Sequence, residues 1–422
     1  MHYYRFYQDK LYCEGLPVQG IAENIDTPFY LYSQKTLVEN YERISTAFQA
    51  IDHLICYALK ANSNVSLLSL LAQRGAGADV VSGGEIYLAL KSGFLPEKIV
   101  FAGVGKTDAE IQSAVEQDIL ALNVESFAEL QVVNDIAKNL HKKAPITIRI
   151  NPNIDIQGHP YISTGKAVDK FGIEISEAKE MFHKIHSFSN TELIGLHCHI
   201  GSQITEVNSF LKAIQLLKET VKELHTLGVN LRLVDIGGGL GVNYENIFQE
   251  NLNSKEKDLG DVLTPEELVD KLKPDLQEMS CKIIFEPGRA LIAESGILVT
   301  KVLYKKEIQG KRFLVVDAGM NDLIRPSLYG AYHEIVPVSK NGNDMVMVDV
   351  VGPVCESGDF LARDRWLPQV NRGEYLAVMT AGAYGFSLSS NYNARPRPAE
   401  VLVEGNDYKI IRERGSIENL WL

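Results

Sequence analysis

The 422-residue chain is short of positive charge: 42 lysines and arginines stand against 54 aspartates and glutamates, a net charge of -12 at pH 7. Nucleic acids and anionic membrane surfaces are gripped by basic patches, so neither is an expected partner. Cysteine is scarce as well. The five present, Cys13, Cys56, Cys198, Cys281 and Cys355, form no CxxC pair, which argues against a disulfide framework or a zinc ribbon and for reduced thiols. No apolar run approaches the ~20 residues that cross a bilayer. The opening MHYYRFYQDK has no basic stretch leading into an apolar one, so a cytoplasmic protein acting on small molecules is expected. What is present, 45% hydrophobic and 23% charged residues, is ordinary for a chain that builds two domains with a large core.

From residue 54 onward, β-rich runs alternate with segments of helical period, the pattern of parallel βα units. The runs are LICYALK, GADVVSG, KIVFAGV, ILALNVES, ITIRINP, LIGLHCHI, LRLVDIGGG and KIIFEPG. Eight strands are the number that closes a (βα)8 barrel, expected over residues 28–286. After EPGRALIAESG the character changes to β runs broken by Gly, Pro and Asn turns, which reads as a second, mainly antiparallel β domain. The first 27 residues look alike, so that domain is expected to be discontinuous, from 1–27 and 287–422. Two long irregular stretches interrupt the barrel pattern. Residues 151–172 read as a lid, and the polar stretch 243–262 as a surface insertion.

A βα barrel carries its chemistry at the C-terminal ends of its strands. There the sequence places Lys60, Asp79, the run HCHIGSQ, the run GGGLG and EPGR. A lysine at a strand tip is ordinarily a solvated terminus, and three glycines often only permit a tight turn. Together they say more. Gly-rich turns after the seventh and eighth strands are the usual phosphate seat of this fold, and Arg289 is placed to reach it. A phosphate seat, a lysine across the mouth and a carboxylate, Glu286, match the needs of pyridoxal 5'-phosphate: an amine to join its aldehyde, and an anion to keep its pyridine nitrogen protonated. His197 and His199 fall on one face of their strand. Two histidines so spaced can ligate zinc, but the further ligands of such sites are not provided; the alternative is that His199 stacks on a flat cofactor and His197 is a hydrogen-bonded barrel histidine.

The β domain adds DAGMNDLIRPSLYGAYH, GPVCESGDF and TAGAYGFSLSSNYNARPRPAEV. Arg325 and Tyr329, four apart, share a helical face, as either a site pair or a packing pair. Cys355 beside Glu356 fits a proton donor in a turn, and equally an inert thiol.

In this order, YALKAN, HCHIGSQ, DIGGGLG, EPGR, RPSLYGAYH, CESGDF and GAYGFSLSSNYNARPRPAEV resemble diaminopimelate decarboxylase, of the fold-type III, alanine-racemase-like group of pyridoxal phosphate enzymes. HPYISTG and KFGI strengthen the likeness to diaminopimelate rather than ornithine or arginine decarboxylases. The resemblance implies a carboxy-lyase that takes meso-2,6-diaminopimelate to L-lysine and carbon dioxide, the last step of lysine biosynthesis. It implies that Lys60 joins the cofactor, His199 stacks on its ring, Glu286 pairs with the pyridine nitrogen, Asp79 orients the site, and Ser202, Gly239, Gly288, Arg289 and Tyr384 surround the phosphate. Arg289, Arg325, Tyr329, Glu356 and Tyr384 would hold the substrate. It further implies a homodimer with shared active sites, in which Cys355 reaches the partner's barrel and protonates the carbanion. A decarboxylase of another amino acid and a non-catalytic relative are the alternatives.

Overall fold

The computed structural model describes residues 2–154, 170–245, 247–248, 262–340, 342, 344 and 345–420. Most of the expected lid, with HPYISTG, and most of the polar insertion lie outside the described residues. The chain forms two compact units: Tyr41–Gly241 with Lys257–Ala290, and Met1–Asn40 with Val242–Glu256 and Leu291–Leu422.

The first unit holds the eight expected strands: β1 (His53–Ala58), β2 (Gly77–Val80), β3 (Ile99–Phe101), β4 (Ala121–Val124), β5 (Ala144–Asn151), β6 (Thr191–His197), β7 (Leu233–Asp235) and β8 (Lys282–Phe285). Each pairs in parallel with its successor, and β8 pairs with β1, so the sheet closes. Closure leaves no sheet edge, which is why these runs can be almost wholly apolar. Cys56, Val100, Ala121, Ile194, Leu233 and Ile284, from six strands, fill one core cluster. Each large aliphatic side chain buried there stabilises the fold by about 1.5 to 3 kcal/mol relative to exposure.

The helices begin where the sequence supplies caps. Asn64, Ser82, Thr107, Ser126 and Thr264 each accept a backbone N–H of the first turn, and Thr107 with Glu110 and Thr264 with Glu267 form reciprocal capping boxes. A cap of this kind contributes about 1 kcal/mol. It also fixes where each βα loop stops, and therefore how far each loop reaches over the barrel mouth.

In the second unit a hairpin of Tyr4–Tyr7 and Lys10–Cys13 turns at Gln8 and Asp9, both at positive φ, as a tight two-residue turn requires. The larger sheet runs in the order Phe360–Pro368, Met345–Val351, Lys311–Val316, Gly296–Ile308, Phe29–Ser33, Ala399–Glu404, Asp407–Arg412. Most pairings are antiparallel; Lys311–Val316 with Met345–Val351 and Phe29–Ser33 with Ala399–Glu404 are parallel. The domain boundary therefore differs from the one expected at 27/28. Phe29–Ser33 hydrogen-bonds to Gly296–Val299 on one side and Ala399–Val403 on the other, so residues 28–40 belong to the sheet unit. At the far end, the chain re-enters that unit at Leu291 rather than at 287.

One residue governs the spacing of the strands that carry the site. Gly195, in the middle of β6, sits so close to β7 that a Cβ there would collide with the side chain and carbonyl oxygen of Leu233. Gly195→Ala should lower stability by about 1 to 3 kcal/mol through overpacking, read from the midpoint of urea unfolding. An unchanged midpoint would mean that β6 and β7 can separate without cost.

Candidate active site

β1 ends at Ala58, and a 3₁₀ turn over Leu59–Ala61 carries Lys60 off the strand. Lys60 Nζ lies 2.7 Å from Asp79 Oδ2 on β2. The Asp79 side chain is fully buried, whereas that of Lys60 is 36% exposed. The ammonium is thus held by a buried anion yet stays reachable by a small molecule. Burial, then the neighbouring Glu286, push the Asp79 carboxyl up to about 6, against the pull of Lys60. Asp79 therefore supplies a counter-charge near neutral pH at the point where the lysine needs one.

Across the mouth, β6, β7 and β8 end in register. His197 pairs with Asp235, and the ladder continues past the strands, with Glu286 N–H donating to Gly237 O at 2.8 Å. His197 Nε2 lies 3.4 Å from Glu286 Oε2. Donor atoms of His197, Asp235 and Glu286, all buried, lie within 4.8 Å of one another. Burial would raise the Glu286 carboxyl, but His197, then Lys60, then a hydrogen bond with Asp235 outweigh it and hold the group well below its ordinary value. Glu286 is an anion. Its Oε1 meets no hydrogen-bond donor, so a buried carboxylate oxygen is left for a group that brings its own N–H.

β6 stops at His197, and His199 lies just beyond it, past Cys198, whose N–H still donates to Asp235 O at 2.9 Å. Gly238 N–H donates to His199 Nδ1 at 3.1 Å, which leaves the ring proton on Nε2. Burial, then Lys60 and Arg149, hold the His199 pKa well below its usual value. The ring is neutral, half-buried and fixed in plane, suited to lying against a flat heterocycle. The glycines beside it are forced by contact. A Cβ on Gly237 would strike Cys198 and His199, on Gly238 the carbonyl of Glu286, and on Gly239 the carbonyl of Gly201, and Gly237 and Gly239 have φ of +66° and +98°. Arg289, buried just after β8, donates through Nη2 to Ser202 Oγ at 3.0 Å, and Gly288 packs its backbone against Ala58 and Ala61. A buried guanidinium, a hydroxyl and a side-chain-free turn suit a phosphate, and the donor-less Oε1 of Glu286 suits a protonated pyridine nitrogen. The residues present fit pyridoxal phosphate.

Arg325 opens the short helix Arg325–Tyr329 and is buried; its guanidinium lies 6.0 Å from the Tyr329 ring and 5.2 Å from that of Tyr244. Arg325 Nε donates to His333 Nε2 at 3.2 Å, while His333 Nδ1–H donates to Met379 O at 2.9 Å. Cys355 and Glu356 stand exposed on a turn whose backbone is pinned: Asn393 Oδ1 accepts from Cys355 N at 3.0 Å, and buried Asp359 accepts from Val354 N and Met320 N, each at 2.6 Å. Tyr384 takes a left-handed φ of +56°, a conformation tyrosine rarely adopts without constraint from its surroundings. The sequence offers no local signal for His333, Asn393 or Asp359. Only Asp235 carried a local signal, an acid closing a strand immediately before the glycine run.

A family model described as "Pyridoxal-dependent decarboxylase, pyridoxal binding domain" matches residues 34–293. The chain is 48% identical over 412 residues to diaminopimelate decarboxylase of Aquifex aeolicus, covering 98% of this chain and 95% of that one. To the Vibrio cholerae diaminopimelate decarboxylase it is 43% identical over 422 residues, covering 100% and 98%. The crystal structure of diaminopimelate decarboxylase from Helicobacter pylori complexed with L-lysine matches with a TM-score of 0.89 at 45% identity, covering 96% of this chain and 98% of that one. A closed barrel with a lysine, a paired carboxylate and a glycine turn at its mouth, joined to full-length identity of this order, shows that the chain belongs to the diaminopimelate decarboxylases, pyridoxal-dependent carboxy-lyases of the fold-type III group.

Proposed function

We propose that this chain decarboxylates meso-2,6-diaminopimelate to L-lysine and carbon dioxide at the mouth of its barrel, as a cytoplasmic homodimer. The observation that carries the proposal is the pair of opposed anchors, Lys60 on Asp79 at 2.7 Å and an ionised Glu286 with one oxygen free of donors. Among the described residues no helix is long and apolar enough to cross a membrane.

Pyridoxal phosphate, when bound, supplies a sink for the electrons of the breaking Cα–carboxylate bond. Lys60 would hold it through Nζ and yield its place to the substrate amine, with Asp79 stabilising the ammonium that is released. Glu286 would keep the pyridine nitrogen protonated, and the neutral His199 ring would support the ring face without competing for that proton. Ser202, Gly239, Gly288, Arg289 and Tyr384 would hold the phosphate. The substrate has an amino-carboxylate at each end, so the unreactive end needs cationic and polar groups, for which Arg289, Arg325, Tyr329, Glu356 and Tyr384 are the candidates. Cys355 of the second copy would give its thiol proton to Cα, forming the C–H bond of lysine, and recover a proton from solvent. Decarboxylation of another basic amino acid is the outcome to exclude, and a panel of amino acids scored for carbon dioxide release does so.

Lys60→Ala should remain folded and lose the visible absorbance of bound cofactor, because the side chain sits in a turn and not in the core. If borohydride still fixes cofactor to the variant, Lys60 is not the anchor. Arg325→Ala should raise the Michaelis constant for diaminopimelate about 10-fold or more, as loss of a charge-assisted contact costs about 1.5 to 3 kcal/mol; an unchanged constant moves the carboxylate grip elsewhere. The shared site is tested by mixing. Lys60→Ala and Cys355→Ala, each nearly inactive alone, are unfolded and refolded together. Random pairing makes about half the dimers mixed, each with one intact site, so activity should recover to about a quarter of wild type. No recovery, with mixed dimers seen by mass, would confine each site to one chain.

A further inference from the structure

Asp235 has no task in the chemistry just described, yet it ends β7 inside the buried cluster. Its side chain is fully buried, and Oδ1 accepts the N–H of Gly237 at 2.9 Å. Oδ2 meets no N–H or hydroxyl donor. The groups facing it are His197 from β6, Glu286 from the end of β8, Asp79 from β2 and Cys56 from β1. Lys60 pairs with Asp79, and His197 Nε2 faces Glu286 Oε2. Two carboxylates this close in a dry site cannot both stay ionised; one keeps a proton.

We propose that Asp235 is a positioning residue that stays protonated and donates its carboxyl O–H to Glu286, holding that carboxylate anionic and aimed at the pyridine nitrogen of the cofactor. The inference rests on the assignment of Glu286 to that nitrogen. Burial first, then the charge of Glu286, push the Asp235 carboxyl well above its ordinary value, while Glu286 moves the opposite way. The proton balance is simple: one proton stays on Asp235, one negative charge stays on Glu286, and His197 faces the same carboxylate from β6. A donor that is neutral steadies the anion without discharging it.

Two measurements test this. The first uses wild-type apoprotein labelled with carboxyl-¹³C aspartate and infrared spectroscopy at about pH 9, where ordinary aspartates are ionised, as are Asp79 and Asp322, pushed up only to about 6 and about 7. A protonated aspartyl carboxyl band should persist, and should vanish in Asp235→Asn. No such band in the wild type overturns the proposal without relying on any variant. The second uses holoenzyme carrying ¹⁵N-labelled pyridine. Asp235→Asn keeps a neutral N–H donor and should retain kcat to within about threefold and the wild-type ¹⁵N shift, whereas Asp235→Ala should lower kcat about 10- to 100-fold at a Michaelis constant within about twofold and move the shift toward unprotonated nitrogen. Asn as damaging as Ala, or Ala without effect, overturns the role of Asp235 alone. Glu286→Gln with an unchanged shift and kcat would overturn the assignment of Glu286, and the positioning role with it.

Discussion

The arrangement of the barrel mouth depends on one close approach: the glycine turn after β7 is pressed between the ends of β6 and β8. Gly238 lies against the carbonyl of Glu286, and Gly237 against Cys198 and His199, with no room for a Cβ at either. Three hydrogen bonds follow from that contact. Gly237 O accepts from Glu286 N, Gly237 N donates to Asp235 Oδ1, and Gly238 N donates to His199 Nδ1. A single turn thus sets the backbone of the acid, the side chain of the acid behind it and the tautomer of the histidine. Any residue larger than glycine would displace all three together, which is why the turn is better understood as the frame of the site than as a flexible loop.

Within that frame, the charges are balanced pair by pair. Desolvation makes a lone buried ion very costly, so the buried acids of each unit have their own solutions. Asp79 has the ammonium of Lys60. Glu125 has the guanidinium of Arg149 at 2.8 Å and the N–H groups of Gly103 and Gly172. Asp322, in the other unit, accepts from Gly319 N and Asn321 Nδ2, and burial still pushes it up to about 7. Glu286 and Asp79 each keep one buried oxygen that meets no donor, Oε1 and Oδ1, but Glu286 is held well below its ordinary value while Asp79 is pushed up to about 6.

The fold was legible wherever structure follows local pattern. Eight apolar runs of strand length alternating with helical segments, five of which start at a side-chain cap, leave little choice but a closed parallel barrel, and Lys60 stood out because an ammonium ends one of those runs. Pairing across long separations was not legible. FYLYS, residues 29–33, is apolar enough to precede a barrel, and nothing within it says that its neighbours are residues 296–299 and 399–403. The same limit hid the carboxyl pair. Asp235 and Glu286 are each visible in their motifs, but that both meet His197 is fixed by the register of three strands, which no local period encodes.

The sheet unit fixes its polar side chains and turns through neighbouring hydrogen bonds. Arg325 is buried, and a buried guanidinium would ordinarily be drawn to a carboxylate. Here its Nε is given to His333, a neutral acceptor whose own proton is committed to the carbonyl of Met379. The arginine is thereby oriented by a hydrogen bond to a ring nitrogen. The turn at Cys355 follows the same logic with backbone in place of side chain. Cys355 and Glu356 are exposed, but Asp359 beneath them gathers Val354 N and Met320 N, and Asn393 takes the N–H of Cys355 itself. Hydrogen bonds of this kind fix the backbone beneath an exposed side chain, so the conformational entropy of that turn is lost when the protein folds and not afterwards.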